Sequence, residues 1–140
     1  MLYNANDATF EIPGNWLDQT VVDIHSPKND GFHLQVINNP EVSETSPSEA
    51  MKPIRDTYQS MYRPCEVLVD RAFDIKGYMA HRLEYRGEQP DGAVRGLTII
   101  VFHKPLSSLT INCSAPTRVW GNYSKDVKKL IDSFTIRDAF

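Results

Sequence analysis

Along most of the chain, apolar and polar positions alternate with a period of two rather than 3.6. Phe32, Leu34 and Val36 alternate with His33, Gln35 and Ile37, which predicts a strand with a strongly apolar even face. Val67, Val69, Phe73 and Ile75 define another strand, interrupted at Arg71, and Lys76-Gly77 then reads as a tight turn into Met79, Leu83 and Tyr85. Gln89-Pro90-Asp91-Gly92 is a second turn, leading into the run 93–103. After the break at Lys104-Pro105, Leu109, Ile111 and Cys113 alternate with Ser108, Thr110 and Asn112. Sequential strands joined by short turns imply an antiparallel meander. Two shorter strands are expected earlier, at Thr9 to Ile12 and Thr20 to His25.

Two helices fit around these strands. Ser46-Pro47-Ser48-Glu49 has capping-box spacing with proline at the first helical position, and Ile54, Tyr58, Met61 and Cys65 would form the inner face. Pro53 conflicts with one continuous helix, so a kink or a later start at Pro53 is expected. In the last helix, capped by Asn122 or Ser124, Val127, Leu130, Ile131 and Phe134 fall on one stripe. The fold class is therefore α+β: an antiparallel meander, a helix inserted after the first strands, and a C-terminal helix packed on the sheet. Within the sheet, the segment Leu97 to Phe102 is apolar at both parities. It needs cover on both faces, or else one face is left as an apolar groove.

Composition narrows the function classes. The chain has 140 residues, room for one domain, and a net charge of −3, without the basic stripe of a nucleic-acid binder. The opening MLYNANDATFEIPGNW has neither a basic nor an apolar leader region, and no apolar run approaches the length of a membrane span. A cytoplasmic protein is expected, with Cys65 and Cys113 as reduced packing residues.

Chemical signatures are missing. The sequence contains no GxSxG, Walker, GxGxxG or HExxH pattern. His25, His33, His81 and His103 are dispersed over different strands without ligand spacing and read as surface or rim residues, so neither a metal nor a cofactor is expected. Asp70, Asp74 and Glu84 read as carboxylates on wet strand faces, and nothing pairs two of them in an apolar pocket for acid–base work. An enzyme is not expected. Binding remains: Met51, Tyr58, Met61 and Tyr62 offer adaptable contact area that at helical spacing also suits a core. Gln35, Asn38, Thr98 and Ser108 could meet a polar group in an otherwise greasy ligand such as a transmembrane-type helix.

The stretch Phe10-Glu11-Ile12-Pro13-Gly14-Asn15-Trp16-Leu17-Asp18-Gln19-Thr20 resembles the opening of the Eag-type effector chaperones of bacterial type VI secretion, which are small cytoplasmic DcrB-like domains. Gly77 and Glu84-Tyr85 add to the resemblance, as does the order of elements. It implies a single DcrB-like domain over 1–140 that forms a homodimer. It also implies that the protein binds the N-terminal transmembrane helices of an effector, shields them from water and aids loading for export. No nucleic acid and no direct membrane insertion would be involved. The groove positions it implies are Val22, Ile24, Ile37, Ile54, Tyr58, Tyr62, Thr98 and Ile100. On the strand after Gln19, Val22 and Ile24 are the apolar pair, whereas a gap-free match puts Val21 and Asp23 there. Thr98 departs from the family pattern, standing where relatives carry a longer amide. Two alternatives stand beside the chaperone: an immunity or adaptor protein that binds a soluble toxin domain, and a small-ligand-binding domain.

Overall fold

The computed structural model describes residues 2–5, 8–11, 21–25, 28, 30–39, 42–104 and 107–133. Positions 12–20, which carry most of the opening motif, lie outside the described residues, as does Phe134. Strands β1 (Leu2–Ala5) and β2 (Ala8–Glu11) form a two-stranded antiparallel ladder. Six further strands make one antiparallel sheet: β3 (Val21–His25), β4 (His33–Asn39), β5 (Cys65–Ile75), β6 (Tyr78–Gln89), β7 (Gly92–Lys104) and β8 (Ser107–Pro116). Their order across the sheet is β3-β4-β8-β7-β6-β5. The expected meander runs from β5 to β8. The β5–β6 turn is two residues long, with Lys76 at φ 49° and Gly77 at φ 89°, the left-handed backbone that a hairpin of this hand requires. The α+β class is as the periodicity indicates.

Helix α1 (Pro47–Met61) carries the chain from β4 to the far edge at β5, so that β8 returns to pair with β4. It is one continuous helix that begins at Pro47. The Ser46 side chain caps it, accepting from the Glu49 backbone N–H at 3.2 Å, and the Glu49 carboxylate accepts from the Thr45 hydroxyl at 2.9 Å. Pro53 sits inside the helix without ending it, because it lies on the solvent side, where water can take the carbonyl it leaves unpaired. Met61 and Cys65 are not on the inner face as expected. Met61 is 58% exposed and Cys65 opens β5, while Met51, fully buried, takes the central inward position. The helix stops at Tyr62, which turns extended.

Register assigns the two faces of the sheet. Leu97, Ile99 and Val101 of β7 share a face with Ala80 of β6, Ile111 and Cys113 of β8, and Leu34 and Val36 of β4. Helix α3 (Ser124–Ser133), which follows the short α2 (Thr117–Trp120), packs Val127, Leu130 and Ile131 on this face. Thr98, Ile100 and Phe102 share the opposite face with His81, Leu83 and Tyr85 of β6. Here α1 lies across β5, β6 and β7, burying Leu83 and Ile100 beneath Met51, Ile54 and Tyr58. Thus β7 is covered on both faces, with Ile99 at 0% and Ile100 at 2% exposure. Each side chain so buried contributes about 1.5–3 kcal/mol.

Candidate functional site

Helix α1 covers only half of its face. Where the sheet continues past β7 into β8 and β4, a groove of about 360 Å³ opens between helix and sheet. Ile37 of β4 and Thr110 and Asn112 of β8 form its floor, and Pro53, Ile54, Thr57 and Tyr58 of α1 form its wall. The lining is an apolar surface made by Ile37, Pro53, Ile54 and the Tyr58 ring, with a strip of two hydroxyls and one amide.

The polar strip is continued beneath the floor. The Thr98 hydroxyl has one hydrogen and donates it to Asn112 Oδ1 at 2.8 Å, so Tyr58 donates to Thr98 Oγ1 at 3.1 Å. With Asn112 Oδ1 engaged as the acceptor, the donors of its Nδ2 are the amide's remaining hydrogen-bonding groups. The Tyr58 ring is held as firmly as its hydroxyl. It stacks on Tyr85 at 4.2 Å between centroids, and Tyr85 in turn lies 5.7 Å from Tyr62. Gly96 and Gly87 make room for this stack: a Cβ at Gly96 would lie 2.2 Å from Tyr85 Cζ, and one at Gly87 would lie 2.3 Å from Tyr62 Cγ. Burial pushes the Tyr62 and Tyr85 phenols up, so both stay neutral at physiological pH.

A second set of contacts ties the other end of α1 to the β5–β6 hairpin. Arg55 grips Asp70 through Nη2 at 2.8 Å and Nε at 2.6 Å, and Asp70 Oδ1 lies 2.5 Å from His81 Nε2. Ser48 Oγ meets His81 Nδ1 at 2.9 Å. A carboxylate can only accept, so Nε2 carries the proton and, in the neutral ring, Nδ1 accepts from Ser48. His81 is 6% exposed, which corrects the expectation of a rim histidine. Serine, histidine and aspartate stand in a row, but Arg55 occupies both carboxylate oxygens and the imidazole is sealed under the helix, so the contacts anchor α1. The Arg55 guanidinium, and secondarily the His81 hydrogen bond, hold the Asp70 carboxyl below its usual range. A folded-state pKa below the unfolded value of about 3.9 gives stabilisation that is complete above that pH and lost as pH falls through the folded value. Asp70→Asn should therefore lower stability at pH 7 and flatten the acid limb of a stability–pH profile measured by urea denaturation. An unchanged acid limb would show that the tie contributes nothing.

Of the residues expected at a groove, Ile37, Ile54 and Tyr58 line it together. Tyr62 is buried at the far end of the tyrosine stack, and Thr98 and Ile100 lie under the helix at 0% and 2% exposure, behind the groove instead of on its surface. Val22 and Ile24 do not share that face. They stand in register with Val36 and Leu34, on the α3 side, whereas Val21 and Asp23 are the positions opposite Ile37 and Gln35. A one-residue slip reverses a strand's faces, and the gap-free match is the one that agrees with the register. Asp23 contacts the His33 imidazole across the strand pair. Thr57, Thr110 and Asn112 were missed. The latter two are the polar members of the β8 alternation and read as a wet face, while the pairing of β8 with β4 has no local signal. Among the described residues no cluster of three His, Cys, Asp or Glu side chains could hold a metal ion, and no helix is long and apolar enough to cross a membrane.

This combination defines an α+β sheet protein with an apolar, polar-striped groove beside its long helix. No protein-family model matches the chain, and no curated protein sequence does either. Solved structures do share the fold. A Pseudomonas aeruginosa protein of unknown function, PA94, superposes with a TM-score of 0.80 at 13% identity, covering 99% of this chain and 98% of its own. The solution structure of cyanobacterial PsbP (CyanoP) from Synechocystis sp. PCC 6803 superposes with a TM-score of 0.57 at 19% identity, covering 98% and 92%. At these identities the likeness concerns the fold.

Proposed function

We propose that the protein is a binding protein for apolar helices, and specifically a cytoplasmic chaperone for the N-terminal transmembrane segment of a type VI secretion effector. The observation that carries the reading is the groove between α1 and β8/β4, with isoleucines and a tyrosine ring for apolar side chains and the Asn112 amide beside them. A membrane helix in water exposes a continuous apolar face that drives aggregation. In a bilayer its neighbours would offer close packing and a few side-chain hydrogen bonds, and this lining offers the same two things. The volume takes side chains from one face of a helix, so several helices or two copies of the chain would be needed to cover a segment completely. The resemblance of Phe10 to Thr20 to the Eag-type opening supplies the secretion context and the homodimer.

Co-expression with the N-terminal segment of a candidate effector, followed by size-exclusion chromatography with light scattering, tests this reading. The expected result is a soluble complex containing two copies of the chain, lost when the apolar helices are deleted from the segment. A complex that survives that deletion would identify an adaptor for a soluble toxin domain. A lone folded chain beside an insoluble segment would exclude helix shielding.

A further inference from the structure

The face of the sheet opposite the groove has a cavity of its own. It occupies about 440 Å³ between α3 and the adjoining strands, within the range of small-molecule sites. Its chemistry differs from that of the groove. Arg82 and Glu84 of β6, Arg95 of β7, Trp120 of α2, and Val127, Lys128, Ile131 and Asp132 of α3 are among its lining residues. Glu84 holds the two arginines in place, lying 3.2 Å from Arg82 Nε and 3.6 Å from Arg95 Nη2. The Arg95 guanidinium carbon lies 5.8 Å from the Trp120 ring centroid. Three cations, Arg82, Arg95 and Lys128, line the cavity with two carboxylates, Glu84 and Asp132, which leaves one positive charge in excess. The Arg95 side chain keeps 30% of its surface exposed, so an incoming oxyanion can reach its guanidinium and offset that excess with charge-assisted hydrogen bonds.

We propose that this cavity binds a small amphipathic monoanion, a carboxylate carried on a flat apolar ring. The carboxylate would meet the exposed part of the Arg95 guanidinium and share the charge of Arg82 and Lys128. The ring would lie against Val127, Ile131 and the edge of the Trp120 indole. Glu84 and Asp132 already supply most of the counter-charge, so a dianion gains little over a monoanion, and the apolar wall favours a ring over an inorganic ion. The site is separate from the helix groove and stands or falls independently of the chaperone reading.

Benzoate is the first probe, read by 15N–1H spectra of the arginine Nε–H and tryptophan indole N–H signals of the intact chain. The expected result is a saturable shift of the Arg95 and Trp120 signals with a Kd below about 1 mM, absent with benzyl alcohol. Arg95→Lys keeps the charge but loses the planar guanidinium, and it should weaken benzoate at least tenfold. Arg71→Lys should leave the affinity unchanged. No saturable shift in the wild-type chain would overturn the proposal, as would equal shifts with inorganic phosphate, which would mark a general anion atmosphere. Unchanged benzoate affinity in folded Arg95→Lys would also overturn it. Should that variant fail to fold, the wild-type comparison of benzoate, benzyl alcohol and phosphate decides alone.

Discussion

Replacing Ile37 with Asp should abolish recovery of a soluble complex with an effector's apolar segment while the chain itself stays folded. Ile37 is half-buried on the groove floor, and in the free chain a carboxylate there keeps contact with water. Once an apolar helix seats against it, that charge loses its water and gains no partner. Placing Asp at the centre of a membrane helix costs about 3 kcal/mol, so the expected loss of affinity is on the order of 100-fold. Thermal unfolding should move by only a few degrees, since among the described residues Ile37 belongs to neither buried cluster. Ile100→Asp is the opposite case. Ile100 is 2% exposed between Met51 and Leu83, and a charge there should unfold the domain before binding can be assayed. Pull-down of the segment together with a melting curve separates the two. Retained binding by folded Ile37→Asp would remove the groove from the function, and collapse of its melting curve would place Ile37 in the core.

The contrast between Ile37 and Ile100 marks how far the sequence was legible. Period-two alternation, the Lys76-Gly77 turn and the Ser46-Pro47 cap are local signals, and each placed an element within a residue or two. The doubly apolar run Leu97 to Phe102 also read correctly as a strand needing cover on both faces. What it could not convey is where α1 lies over that strand. Once the helix crosses β5 to β7, Thr98 and Ile100 become core and the open surface moves to β8 and β4. The adjacency of β4 to β8 joins positions more than seventy residues apart in the chain, as between Ile37 and Thr110, and no local pattern encodes it. Thr110 and Asn112 therefore looked like the wet side of a strand. His81 failed for the same reason, because its burial depends on Ser48 and Asp70 arriving from two other elements. Val22 and Ile24 failed through parity: apolar character chose the pair, and the register puts it on the other face.

The largest stability effect outside the apolar core is expected at Gly96, where alanine should cost about 3 kcal/mol. Its backbone is ordinary strand, so the requirement for glycine comes from contact. A methyl group would stand 2.2 Å from Tyr85 Cζ and 2.3 Å from Tyr85 Oη, far inside van der Waals separation. Tyr85 is 3% exposed and cannot swing into solvent, and the strand beneath is paired on both sides by β6 and β8. Either the ring or the strand must move. Overpacking of this kind typically costs 1–3 kcal/mol, and losing the 4.2 Å stack on Tyr58 adds roughly 1 kcal/mol. The displacement should also travel. Tyr58 leans on Tyr85 and donates to Thr98, which donates to Asn112, so loosening the stack frees the groove wall and the orientation of the amide on its floor. Urea denaturation of Gly96→Ala, Tyr85→Leu and the double variant tests the collision directly. If the clash is the cause, the alanine penalty should shrink by at least half in the Tyr85→Leu background, a non-additivity that independent sites would not show. A penalty below about 0.5 kcal/mol in the wild-type background, or one that persists unchanged without the ring, would mean that Gly96 is not reserved for Tyr85.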